Sequence, residues 1–70
     1  MIDIVKLINS LFSNDFKQFF GILNYYSTTD TKIINLIEDI KWYYMFDDLI
    51  DVKIEGIKLI KLIYYYYYKN

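Results

Sequence analysis

Apolar residues in the N-terminal half of the chain recur three or four positions apart, which is the spacing of amphipathic helices. The first stripe consists of Ile4, Val5, Ile8, Leu11 and Phe12. The second consists of Phe16, Phe19, Phe20, Leu23 and Tyr26, and the third of Ile33, Ile34, Ile37 and Ile40. We therefore predict two or three helices in this half of the chain.

Short polar segments separate the three stripes. Residues 13–15, Ser-Asn-Asp, offer two possible N-caps and an acid for the first turn of the second helix. The first two stripes are nearly in phase, so one long helix is the alternative. We favour a break at residues 13–14, because one uninterrupted helix would leave its apolar face uncovered. Residues 27–30 indicate a loop, and Asp30 is the expected N-cap of the third helix.

From Lys41 onward the pattern changes to the alternation that is typical of half-buried strands. Aromatic residues with a preference for strands come first, and polar and apolar residues then alternate on both sides of Gly56. A turn at Asp47-Asp48 and a turn at Glu55-Gly56 give registers that agree with each other. The predicted product is a three-stranded antiparallel meander over residues 42–46, 49–55 and 57–66.

The same segment also allows a helix. Its members at helical spacing are Phe46, Ile50, Ile54, Ile57, Ile60 and Tyr64. We predict an α+β fold, with two or three N-terminal helices packed on a small C-terminal antiparallel β-meander, in one small domain of residues 1–70. An all-α helical bundle is the alternative. The expected core is Ile4, Ile8, Phe12, Phe16, Phe20, Leu23, Ile34, Ile37, Ile40, Val52, Ile54, Ile57 and Leu59.

Composition narrows the chemistry. The chain has 70 residues, 56% of them hydrophobic and 21% aromatic, and it contains neither Cys nor His. Disulfides, thiolate metal sites and the usual neutral-pH general base are therefore excluded. We predict no catalytic residue, no cofactor and no metal site. A domain of this size buries only about 60% of its unfolded surface, so the excess apolar surface favours a homodimer or another protein partner.

Charge and targeting signals favour a soluble protein and count against nucleic-acid binding. The net charge is −1, with eight Lys and no Arg, the residue best suited to phosphate and guanine. No apolar run reaches the roughly 18 residues of a membrane span, and the N-terminal residues lack a signal-peptide pattern. We expect a cytoplasmic location, in the host cell if the gene is viral. The absence of Ala, Arg and Pro suggests an A/T-rich genome.

Residues 47–51 spell DDxxD, which resembles the motif that holds magnesium against a diphosphate in prenyl-transferring enzymes and terpene cyclases. Those enzymes need a large helical cavity that this chain cannot enclose, so we interpret the motif as a solvated turn. Asp47, Asp48, Asp51 and Glu55 are also the densest acidic region. This region is either a surface for a basic partner or ordinary exposed charge.

Aromatic residues supply the other candidate surface. On a strand, Trp42 and Tyr44 would share one sheet face with Phe46, either as anchors for a protein partner or as covered core. The tyrosine run would form an exposed edge strand that pairs with another chain, or else a frayed tail. Its members are Tyr64, Tyr65, Tyr66, Tyr67 and Tyr68.

These observations favour a small non-enzymatic protein-interaction module. A specific form of this hypothesis is a virus- or mobile-element-encoded inhibitor that binds and blocks a host protein, similar to anti-CRISPR proteins in size and composition only. The expected partner-binding residues are Trp42, Tyr44, Asp47, Asp48, Asp51, Glu55 and Tyr64 to Tyr68.

Two alternatives are open. The order of three helices and a hairpin with the sequence LIDVKIEG resembles, over residues 15–62, the outline of a winged-helix DNA-binding regulator that acts as a dimer. The lysines and tyrosines of the last segment would also suit a membrane surface. Residues 31–49 are short for a complete helix-turn-helix that leads into the wing, and the expected recognition helix offers Asp and Glu as readily as Lys. The short length of the last segment and the acidic remainder of the chain argue against a membrane-surface role.

Overall fold

The computed structural model describes residues 2–68, and four helices account for most of them. They are α1 (Ile4–Phe12), α2 (Phe16–Asn24), α3 (Thr31–Met45) and α4 (Leu49–Tyr68). No residue from 2 to 68 lies in a β-strand. The fold of this part of the chain is all-α.

The predicted α+β fold with a C-terminal meander is wrong, and the all-α alternative fits the structure. The segments predicted as strands, 42–46, 49–55 and 57–66, lie in the end of α3, the following turn and α4. The face that α4 buries consists of Val52, Gly56, Leu59, Ile60 and Ile63. This three-and-four spacing coexists with the alternation of period two. Burial of that face against other helices outweighs the strand preference of the aromatic and β-branched residues.

The predicted turn at Gly56 is wrong for the same reason, because Gly56 is buried in the middle of α4. The LIDVKIEG segment, expected as the wing of a winged helix, forms the first two turns of that helix. The described residues therefore lack the hairpin on which the DNA-binding alternative relied.

The predicted breaks between the N-terminal helices are confirmed. Asn14 takes a left-handed conformation, with φ of 60°, and ends α1. Asp15 caps α2 by accepting a backbone N–H with its carboxylate. Asp30 caps α3 in the same way, accepting from the N–H groups of Lys32 and Ile33. Local hydrogen bonding of short polar side chains thus sets these helix starts.

Helix α4 is the centre of the packing. Helix α3 lies along it, and α1 contacts both α2 and α4. The buried hydrophobic residues are Leu7, Leu11, Phe16, Phe19, Leu23, Ile33, Ile40, Val52, Leu59, Ile60 and Ile63. Each helix contributes one stripe, as expected for helices that bury a single apolar face.

The predicted core is correct in part. Its buried members are Phe16, Leu23, Ile40, Val52 and Leu59, and its half-buried members are Ile4, Ile8, Phe20, Ile37 and Ile57. Phe12, Ile34 and Ile54 are exposed, contrary to expectation. In α1 the buried face is shifted by a fraction of a turn, from Ile8 and Phe12 to Leu7 and Leu11.

Candidate protein-interaction surface

The acidic turn between α3 and α4 is built by its own backbone hydrogen bonds. Asp47 has φ of 61°, in the left-handed region. Its N–H donates to the carbonyl of Tyr44 at 3.1 Å, and the N–H of Asp48 donates to the carbonyl of Tyr43 at 2.8 Å. This pair of bonds is a Schellman motif, which satisfies the last carbonyls of α3.

Two of the acids also start α4. The Asp48 carboxylate accepts the backbone N–H of Asp51 at 3.2 Å and so acts as an N-cap. Asp51 lies in the first turn, where a negative charge complements the helix dipole. The DDxxD sequence is therefore a helix-to-helix connection. The prediction of a turn is confirmed, although the turn joins helices and not strands.

The acidic region is only partly available to a partner. A hydrogen bond to Asp48, then desolvation and the nearby negative charges, raise the pKa of Asp51. Glu55 is half-buried, and one of its oxygens lies 3.1 Å from the Lys58 ammonium. Of the four predicted acids only Asp47 is exposed, and the other three are half-buried. Its charge is the one best placed to meet a basic group on another molecule.

Three apolar side chains at the end of α3 project into solvent, and we name Trp42, Met45 and Phe46 the tip patch. The rings of Trp42 and Phe46 stack with centroids 5.9 Å apart and an interplanar angle of 16°. Trp42 is 54% exposed, Phe46 73% and Met45 70%. The spacing of three and four residues places all three on one helical face. The tip patch adjoins Asp47.

Tyr44 does not belong to this patch, contrary to the prediction. Its ring centroid lies 5.5 Å from that of Phe16 and 5.1 Å from that of Phe20, so it contacts α2 from α3. Its side chain is still 45% exposed, on a different side of α3 from the tip patch. On a strand Trp42 and Tyr44 would share a face, whereas on a helix two residues two positions apart point in widely different directions. The structure therefore separates a pair that the sequence interpretation joined.

The tyrosine run is helical, and its members have two different environments. Tyr66 and Tyr67 are half-buried and pack against the core. Tyr64, Tyr65 and Tyr68 are exposed. The edge strand is wrong for residues 64 to 68, because α4 continues through Tyr68.

The inward tyrosines attach the end of α4 to the rest of the fold. The Tyr67 hydroxyl accepts the backbone N–H of Ile2 at 3.4 Å, and its ring lies 6.5 Å from that of Tyr26. Tyr66 interacts with the Asp30 carboxylate, and this hydrogen bond raises the pKa of the Tyr66 phenol. These contacts give Tyr66 and Tyr67 a structural role.

The outward side of α4 carries a second apolar row, which we name the outer stripe. It consists of Ile50, Ile54, Ile57, Lys61, Tyr64 and Tyr68. Ile50 is 75% exposed and Ile54 46%, and the rings of Tyr64 and Tyr68 lie 4.6 Å apart. Sequence reasoning assigned both Ile54 and Ile57 to the core. Ile54 is exposed, whereas Ile57 is half-buried and packs against the core, so the row was missed as a surface at Ile54 but not at Ile57. The sequence feature that could have revealed this row is the three-and-four spacing of its residues, which was noted only as the helical alternative.

A shallow groove borders the outer stripe. It has a volume of about 320 Å³ and is almost wholly apolar. Its walls are Ile4 and Ile8 of α1 and Ile60, Lys61, Tyr64 and Tyr65 of α4. A second depression, of about 440 Å³, lies beside Tyr26 and Tyr67 and is more polar. The α1–α4 groove therefore widens the apolar surface around the C-terminal half of α4.

The described residues show little that resembles a reaction centre. Within residues 2–68, no group of three or more acidic side chains is positioned to hold a metal ion. In the same range, no helix combines the length and the apolar character needed to cross a bilayer. Comparison of the chain with protein families, with curated proteins and with solved structures finds no match.

Proposed function

We propose that this chain is a small non-enzymatic protein-interaction module that docks another protein through the tip patch. The observation that carries the proposal is the solvent-exposed stack of Trp42 on Phe46 beside the exposed Met45. Aromatic side chains, Trp above all, are enriched among the residues that contribute most to binding, and Met is common at interfaces. Exposed apolar clusters of this kind mark interaction sites.

The tip patch is not needed to close the core. The inward face of α3 is provided by Ile33 and Ile40, which are buried. Trp42 and Phe46 belong neither to the core nor to the partly buried residues that pack against it. The stack also fixes two large rings against each other before any partner arrives. A preformed anchor loses less side-chain entropy on binding than a flexible one.

The charge beside the patch defines the chemistry of the partner. Asp47 is exposed at the edge of the tip patch, and the whole chain carries a net charge of −1. The complementary surface is an apolar pocket with a basic rim. Our proposal includes the mode of action, which is inhibition by covering the working surface of a host protein, as a virus- or mobile-element-encoded inhibitor does.

Affinity capture with matched variants tests the proposal. Immobilised wild-type chain should retain a stoichiometric host protein, and the double variant Trp42→Ala/Phe46→Ala should not. Tyr25→Ala is the control, because Tyr25 is an aromatic residue outside the patch with 92% of its surface exposed. With the purified partner, the double variant should bind at least about tenfold more weakly, since a single anchor residue is worth about 2 kcal/mol or more.

A functional assay of the captured protein tests the inhibitory mode. Wild-type chain and Tyr25→Ala should lower its activity, and the double variant should leave that activity unchanged. Equal capture by all three chains, or no stoichiometric capture by any of them, would contradict the proposal.

A further inference from the structure

Helix α4 has two apolar faces. The described part of the chain buries one of them, and it leaves the other, the outer stripe, exposed except at Ile57, which is half-buried and packs against the core. The buried positions 52, 56, 59 and 63 are four, three and four residues apart. The outer stripe repeats the same heptad spacing on the opposite side, at positions 50, 54, 57, 61, 64 and 68. A helix that is apolar on both sides is normally buried on both sides.

The outer stripe is long enough for a helix–helix interface. From residue 50 to residue 68 the helix rises by 18 steps of 1.5 Å, about 27 Å. Its central residues, Ile54 and Ile57, are apolar β-branched side chains, and the α1–α4 groove adds Ile4 and Ile8 alongside its C-terminal half. Only Lys61 interrupts the row with a charge.

The charges along α4 are complementary to those of a second copy of α4 that runs in the opposite direction. Acids predominate toward its N-terminal end, with Asp51 in the first turn beside Asp48 and Glu55 one turn further, and Lys53 lies between Asp51 and Glu55. Lys58, which also pairs with Glu55 of its own chain, and Lys61 follow. Asp51 and Lys58 both occupy the position next to the stripe, one heptad apart. A parallel copy would bring like charges together, whereas an antiparallel copy brings opposite charges together.

We propose that α4 binds a second copy of this chain along the outer stripe, with the two helices antiparallel and related by a twofold axis. Ile54 packs on Ile57 of the second copy, and Ile50 packs on the aliphatic stem of Lys61 of the second copy. In this register Asp51 lies beside Lys58 of the other copy, twice by symmetry. The proposal does not depend on the tip patch or its partner.

Mass measurement of the full chain over a concentration series is the first test. We expect a dimer of the 8.6 kDa chain that dissociates on dilution. Ile54→Asp should give a monomer with unchanged helical content, because it places two carboxylates at the centre of the interface. Ile34→Asp is the control, since Ile34 is a comparably exposed isoleucine on α3. A wild-type chain that stays monomeric throughout, or an Ile54→Asp chain that stays dimeric, overturns the proposal.

Charge reversal tests the orientation independently of apolar packing. Asp51→Lys alone sets Lys against Lys58, and Lys58→Glu alone sets Asp51 against Glu, so each homodimer should weaken about tenfold. An equimolar mixture of the two variants restores both ion pairs and should form a heterodimer as tight as the wild type. Failure of the mixture to associate overturns the antiparallel register, even if the wild type is a dimer.

Cross-linking gives a readout that does not depend on stability. The chain has no native cysteine, so an introduced one is unique. A mixture of Ile54→Cys and Ile57→Cys chains should oxidise to a mixed disulfide faster than either chain alone forms its own. Faster formation of the two symmetric disulfides would indicate a parallel pair and would overturn the proposal.

Discussion

Gly56 in α4 lies so close to Leu11 in α1 that a β-carbon at position 56 would come within 2.9 Å of both Leu11 δ-methyl groups. Both residues are buried, and Leu11 is completely enclosed. The glycine is therefore the point where α1 approaches the axis of α4. This close approach explains a glycine in the interior of a 20-residue helix, where it otherwise disfavours the helical conformation.

Alanine at the two glycines of the chain should have opposite effects. Gly21→Ala in α2 meets no atom within 4 Å and should raise the free energy of unfolding by about 0.5–1 kcal/mol, because alanine favours helix. Gly56→Ala gains the same helix preference but overpacks against Leu11. Overpacking costs about 1–3 kcal/mol, so the net effect should be destabilising. Urea denaturation of both variants measures the two changes.

The Leu11→Ala background provides the control for that prediction. In that background the new methyl group at position 56 enters the space that the Leu11 δ-methyl groups occupied, so Gly56→Ala should become stabilising. The double-mutant cycle should therefore show coupling between positions 11 and 56. If Gly56→Ala stabilises the wild type as much as Gly21→Ala does, α1 and α4 are not in the close contact described.

The starts of α2 and α3 could be predicted from sequence because they depend on short-range chemistry. Asp15 and Asp30 each bond backbone N–H groups within three residues, so the residues that form each cap are contiguous in the chain. Helix α4 could not be predicted in this way. Residues 51–59 satisfy a period of two and a period of three to four at once, and only packing against α1 and α3 selects the helix.

The choice between strand and helix also determined how much of the candidate surface could be predicted from the sequence. Trp42, Tyr44 and Asp47 were predicted as surface residues and are exposed, Tyr44 to 45%. Tyr44 was grouped with Trp42 because alternate residues share a strand face, and the change to a helix sends it to Phe16 and Phe20 instead. Met45 was not predicted as part of this surface, because residues three apart lie on opposite faces of a strand. On a helix they share a face, and Met45 therefore lies beside Trp42.

The tip patch should contribute little to stability. The double variant Trp42→Ala/Phe46→Ala removes an aromatic pair that contributes about 0.5–1.5 kcal/mol to stability in addition to the area it buries. Alanine at position 42 offsets part of this loss, because it favours the helical conformation more than tryptophan does. We expect a loss of about 1 kcal/mol at most. Leu59→Ala or Ile63→Ala should cost about 2–5 kcal/mol, because both residues are fully buried. A double variant at positions 42 and 46 that loses as much as these core variants would show that the stack is structural.

Asp30 should make the fold sensitive to acid. The pKa of the Asp30 carboxyl lies below its ordinary value, chiefly because the carboxylate accepts the backbone N–H of Ile33. Tyr66 and the N–H and charge of Lys32 lower this pKa further, and together these interactions outweigh partial desolvation, which raises it. A depressed folded-state pKa contributes stability above the unfolded pKa of about 3.9, and that stability is lost as pH falls through the folded value. Asp30→Asn keeps a capping side chain but cannot ionise. Its melting temperature should therefore fall less than that of the wild type between neutral pH and about pH 3.

Asp51 supplies the matched comparison for this acid titration. Because its pKa is raised, protonation of Asp51 favours the folded state, and its contribution to stability grows as pH falls through the folded-state value. Asp51→Asn removes that gain, so its melting temperature should fall more than that of the wild type over the same range. Identical pH profiles for the two asparagine variants would contradict both assignments.

Neighbouring tyrosines of the C-terminal run should differ in their effect on stability. Tyr67 packs on Tyr26 and accepts the N–H of Ile2, so Tyr67→Ala should cost about 1–2 kcal/mol, less than a fully buried aromatic residue loses. Tyr65→Ala is the control, since it removes the same side chain from the exposed side of the same helix.

Both tyrosine variants should be melted over a range of concentrations, because the outer stripe beside Tyr65 would make stability depend on concentration if the chain dimerises. Tyr67→Ala should lower the melting temperature equally at every concentration, because its contacts lie within one chain. Any effect of Tyr65→Ala should appear only at high concentration, where association contributes. Equal losses at low concentration would mean that the run has no inward and outward side and that α4 is not docked as described.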